Sequence, residues 1–136
     1  MGLLDRFRKK KEEVRIIESP KEETEFDRFF SKDPDVYDAL KDFMFLDPRK
    51  IDIDLKEAEK RAREFDKAGD KVRARVWYKI AGQLAIYEGN ISKVKKLFKK
   101  YQELNPNVKL KILEIPDKAV KMAQEYYSRF LGSEKT

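Results

Sequence analysis

Residues 71–90 read KVRARVWYKIAGQLAIYEGN. Val72, Val76, Ile80 and Leu84 recur every four residues, and Trp77, Tyr78, Ala81 and Ala85 extend the apolar stripe around the same cylinder. After Lys79 no charge appears until Glu88. The spacing predicts a helix from about residue 71 to 88. An apolar surface this broad predicts that the helix is covered by protein on nearly its whole circumference, at the centre of the fold. Gly89-Asn90 closes it.

The flanks show the same helical pattern. Upstream, Asp54-x-x-Glu57 resembles a capping box for a helix over 55–68 that buries Leu55, Ala58, Ala62 and Phe65, and Gly69-Asp70 stops it and starts the next. Downstream, Ile91, Val94, Leu97, Phe98, Tyr101 and Leu104 mark the buried face of a helix ended by Asn105-Pro106-Asn107. Asp33-Pro34 is a further helix start, followed by Val36, Leu40, Phe43 and Met44, and Asp47-Pro48 repeats the signal. A last helix over 116–131 buries Ala119, Val120, Ala123, Tyr127 and Phe130, with Gly132 ending it. Residues 108–115 alternate apolar Val108, Leu110 and Ile112 with Lys109 and Lys111, as a strand does, which allows one minor two-stranded β element pairing 108–115 with 14–17. The expected class is all-α, a repeat-like bundle of antiparallel helical hairpins. Residues 1–32 are expected to be a charged arm and linker, 33–131 a single helical domain, and 132–136 a loose tail.

The 136 residues include neither cysteine nor histidine. That removes thiolate nucleophiles, disulfides, histidine bases and imidazole metal ligands together. The five serines have no activating neighbours, and no glycine-rich phosphate loop is present. Asp33/Asp35 and Asp52/Asp54 form D-x-D pairs of a kind that holds magnesium, although helix capping explains Asp33 and Asp54 more simply. The expectation is a non-enzyme with no cofactor and no metal. The high charge content, with three Asn and three Gln, matches the residue economy of hyperthermophile proteins. A chain without a signal peptide or an 18-residue apolar run is expected to be cytoplasmic.

The net charge of +6 hides a polarity. Residues 12–59 hold sixteen acids against eight bases, whereas 89–111 hold seven lysines against Glu103. Either the two halves attract each other within the fold or each presents a field to a partner. Lys93, Lys96 and Lys100 lie at helical spacing with Lys95 and Lys99 beside them, and Lys109 and Lys111 prolong the face. Such a face suits nucleic-acid phosphates or an acidic protein. Residues 1–11, with Leu3, Leu4 and Phe7 before a basic cluster, suit a membrane surface.

Residues 75–108 resemble a tetratricopeptide repeat, about a quarter of the chain. Tyr78 matches the large first-helix position, Ala81-Gly82 the close-contact pair, Gly89-Asn90 the inter-helix turn, Phe98 the second-helix aromatic, and Leu104 with Pro106 the ending. Ala85 stands where the family has tyrosine, and Val94 and Tyr101 where it has alanine. The resemblance implies protein–protein scaffolding through a concave surface. Glu23-x-x-Phe26-x-x-Phe29-Phe30 resembles, more weakly, the motif by which proteins dock on sliding clamps, with Glu23 in place of glutamine. The same phenylalanines equally form the apolar face of a short helix anchoring the linker on the core. The preferred expectation is a small protein-binding module, and its alternative is a phosphate-backbone binder using the lysine face of 91–104.

Overall fold

The computed structural model describes residues 24–44 and 47–131, and among these every regular element is helical. The α-helices are α1 Glu25–Phe30, α2 Pro34–Leu40, α3 Leu55–Lys67, α4 Lys71–Glu88, α5 Ile91–Glu103 and α6 Pro116–Phe130, with single 3-10 turns at Pro48–Lys50 and Lys111–Leu113. The basic terminus 1–11, the segment 14–17, Glu23 and the tail 132–136 lie outside the described residues.

The turns that fold α3, α4 and α5 back on one another share one mechanism. Gly69 and Gly89 take positive φ (80° and 73°). In each case the residue after the glycine sends its N–H back across the turn, Asp70 to the Phe65 carbonyl and Asn90 to the Ala85 carbonyl, both at 2.9 Å. That is the glycine-terminated helix end, which only a residue without a Cβ adopts freely. The same Asp70 and Asn90 then cap the next helix, accepting from Arg73 and Lys93 backbone N–H at 3.1 Å each. Other starts follow the sequence signals. Asp33 accepts from Val36 N–H at 3.2 Å, and Asp54 from Glu57 N–H at 2.8 Å. Glu57 pairs with Arg61 at 3.4 Å, so Asp54 acts as a simple cap. Asp47-Pro48 opens only the 3-10 turn, where Asp47 accepts from Arg49 N–H.

Helix α4 is the centre of the bundle. Its residues 81–86 are all buried. At 3.6 residues per turn, six buried residues in succession mean enclosure on every side. Phe98 of α5 lies directly on Gly82, where an added Cβ would meet the ring at 2.5 Å from Cζ. Tyr78, also buried, donates to Asp66 Oδ2 of α3 at 3.2 Å. Helix α6 covers the other end: Gln124 Nε2 donates to the Ile86 and Tyr87 carbonyls at 2.5 and 2.7 Å, and Tyr127 meets Tyr87 edge-on.

Two expectations need correction. The N-terminal half of α4 is not jacketed: Val72 is 63% and Val76 50% exposed. The polar and ring contacts of α6 with α4 fall at Ile86 and Tyr87, so the jacket closes over the C-terminal half. Nor is 108–115 a strand. The amide of Gln102 donates to the Asn105 carbonyl at 3.0 Å and to the Val108 carbonyl, while its oxygen accepts from Leu110 N–H at 2.9 Å. One side chain thus supplies the donor and acceptor of a neighbouring strand, and the chain turns into the 3-10 helix that buries Ile112.

Helix α1 falls within the stretch read as arm and linker, yet it belongs to the same core. Thr24 and Asp27 form a capping box at its start, and Phe29 and Phe30 are buried. They gather with Phe26 around Tyr126 of α6, each ring centroid 5.6 Å from the tyrosine's.

Candidate functional site

The lysine face on α5 is only partly available. Lys93 and Lys96 turn onto Glu59 of α3, at 2.6 and 3.1 Å, with Arg63 at 3.8 Å. Glu59 is 4% exposed and lines a cleft of about 530 Å³ together with Asp54, Leu55, Lys56, Arg63, Glu88 and Lys93. Burial pushes its carboxyl up, but hydrogen bonds and charge from Lys93 and Lys96 outweigh that and hold it below the ordinary glutamate value. Lys100 pairs with Glu103, and Lys111 with Asp35, each at 3.8 Å. Among the described residues Lys95, Lys99 and Lys109 form no ion pair, and all three are exposed. The acidic and basic halves therefore meet inside the fold. Lys118 to Asp33 at 2.5 Å adds a further contact, and it holds the Asp33 carboxyl below the usual aspartate range.

Glu59 escaped the sequence reading, although a signal existed. It lies four residues after Leu55 and three before Ala62, inside the stripe that faces the core, where an unpartnered carboxylate would be costly.

A second feature lies at the bare end of α4. Val72, Arg75, Val76 and Lys79 line a groove of about 260 Å³ with Tyr101 and Asn105 of the α5 end. Arg75 Nη1 donates to Asn105 Oδ1 at 3.1 Å, and Asn105 accepts at its backbone carbonyl from Val108 N–H. Val108 is 48% exposed. Val72 and Val76 are thus exposed along the groove, and Val108 is the other exposed large hydrophobic side chain among the described residues. The sequence assigned Val72 and Val76 to the buried row, because the four-residue spacing continues unbroken into Ile80 and Leu84.

The phenylalanines of the clamp-like motif are occupied in the fold. Phe26 is half-buried and Phe29 and Phe30 are buried against α6, so presenting them to another protein requires α1 to leave the core. Of the D-x-D pairs, Asp33 and Asp54 cap helices, and no group of three or more acidic side chains among the described residues is placed to hold a metal ion. No helix of the described residues is long and apolar enough to cross a membrane. Comparison with protein-family models, with curated proteins and with solved structures gives no match, so the case for any function rests on this chain's own residues.

Proposed function

We propose that the chain is a helical protein–protein interaction module of the cytoplasm, acting by binding rather than by catalysis, and that its partner docks on the bare end of α4 and the adjoining end of α5. The observation that carries this reading is the pair Val72 and Val76, exposed one turn apart along a groove shared with Tyr101 and Asn105, on a surface otherwise dense in charge. Contiguous exposed apolar area on a charged protein is characteristic of association sites. The likeness of residues 75–108 to a tetratricopeptide repeat supports the same class. A photo-crosslinking residue placed at position 76 is expected to capture a discrete protein in cells, whereas the same residue at Glu125, exposed on α6, captures none.

The second reading, phosphate-backbone binding, draws on Lys95, Lys99 and Lys109. Titration with labelled nucleic acid at low and moderate salt separates the classes. Absence of binding at low salt removes the second. Strongly salt-dependent binding lost in a Lys95/Lys99/Lys109→Glu variant transfers the function to it.

A further inference from the structure

Resting on the protein-binding reading above, we infer that the α4/α5 groove takes an acidic amphipathic helix, a partner segment with aliphatic side chains at four-residue spacing flanked by carboxylates. Val72 and Val76 stand one turn apart, and the positions just before them and the next turn, Lys71, Arg75 and Lys79, form a parallel cationic row with the same spacing. An apolar row edged by a basic row is complementary to a helix carrying the opposite charge along its apolar seam.

Two charges of this rim, Arg75 and Lys71, meet no carboxylate among the described residues. Arg75 is held by the neutral amide of Asn105, which fixes its position without cancelling its charge. Among the described residues Lys71 forms no ion pair, and Asp70 is committed to capping α4 and pairing with Arg73 at 3.5 Å. Lys71 and Val72 also lie in the first turn of an 18-residue helix, whose dipole adds positive potential there.

The groove, about 260 Å³, lies below the roughly 300–1,000 Å³ typical of small-molecule sites, and its size suits inserted side chains. Nucleic acid fits it less well. The half-buried Tyr101 ring packs edge-on against Phe43 and is not free to stack on a base, and valine side chains offer no hydrogen bonds.

The test uses the full chain, with methyl NMR as readout and a synthetic helical peptide of glutamate, alanine and leucine whose leucines fall every fourth residue. The expected result is saturable shifts at Val72 and Val76 that are absent with an isomer in which the leucines are scattered. Val76→Ser should weaken binding about tenfold, and Lys71→Glu with Arg75→Glu should transfer preference to the matching lysine peptide. Circular dichroism, with Lys71→Glu alone as a second variant, separates lost binding from lost folding. Equal binding by the scattered isomer, shifts confined to the Lys95 and Lys99 face, displacement of the peptide by a single-stranded oligonucleotide, or concentration-dependent self-association that covers the valines would each overturn the inference. If position 76 crosslinks a protein while the acidic peptide leaves the methyls unmoved, the partner chemistry is wrong and the interaction role stands. If neither happens, the interaction role itself falls.

Discussion

The three glutamines of this amide-poor chain show how differently one side chain is used at three places. Gln102 and Gln124 serve backbone groups of a turn and of a helix end. Gln83 is 3% exposed, and neither of its amide atoms has a hydrogen-bond partner among the described residues. A buried amide without partners costs more than an apolar side chain of similar shape, so Gln83→Met is expected to raise stability by about 1 kcal/mol, read as a higher denaturation midpoint. Gly82 behaves in the opposite sense. Its missing Cβ is the space occupied by Phe98, itself fully buried and packed on Phe43 with centroids 4.6 Å apart. Gly82→Leu should therefore cost about 2 kcal/mol or more, whereas Lys99→Leu on the exposed face should stay within about 0.5 kcal/mol. Equal melting temperatures for the two would contradict the close contact.

At the scale of the element, α4 changes character along its length. Its C-terminal half is enclosed, and its N-terminal half keeps a bare side on which Val72 and Val76 face water. Ile86→Ala is expected to cost about 3 kcal/mol by opening a cavity, while Val76→Ser should move stability by no more than about 0.5 kcal/mol. Paired denaturation curves check the contrast, and a large loss for Val76→Ser would mean that the groove is part of the core. The elements themselves were largely legible, because caps and stops are local chemistry: Asp33, Asp54 and Asp70 cap where the sequence marks helix starts, and Asn90, read there only as part of a stop, caps the next helix as well. The expected strand at 108–115 misled because alternation reports only which side chains are buried. It cannot reveal that Gln102, six to eight residues earlier, supplies the hydrogen bonds that a strand would otherwise seek from a neighbour.

For the whole molecule, the polarity between acidic and basic stretches becomes a dependence on pH. The folded pKa of Glu59 is depressed below its ordinary value of 4.5. Its contribution is therefore fully present above about pH 4.5 and is lost as pH falls through the lower folded value. Asp33, held by Lys118, and Asp47, held by Arg49, act in the same direction. Glu59→Gln is expected to cost about 2 kcal/mol at neutral pH, less than a fully buried pair because Lys93 and Lys96 are partly solvated. That difference should shrink as the solution is acidified, and a pH-independent cost would point to packing instead of charge. On the alkaline side, burial and the Asp66 charge push the Tyr78 hydroxyl from 10 up to about 12. The unfolded chain loses that proton first, so stability should decline as pH rises from 10 toward 12. Tyr78→Phe should lessen the decline in denaturation curves taken across that range, and Tyr127, whose hydroxyl burial also pushes up, supplies a further share.

The helices, their punctuation by Gly69-Asp70 and Gly89-Asn90, the central place of α4 and the opposition of charge are all written into the order of residues, since each depends on periodicity or on groups within a few residues of one another. Packing between distant helices sets which lysines of α5 are consumed by Glu59, closes the clamp-like phenylalanines on Tyr126, and leaves Val72 and Val76 bare. Those outcomes depend on where helices distant in the chain come to lie, and apolar spacing is the same for a side chain covered by a neighbour and for one left to meet a partner.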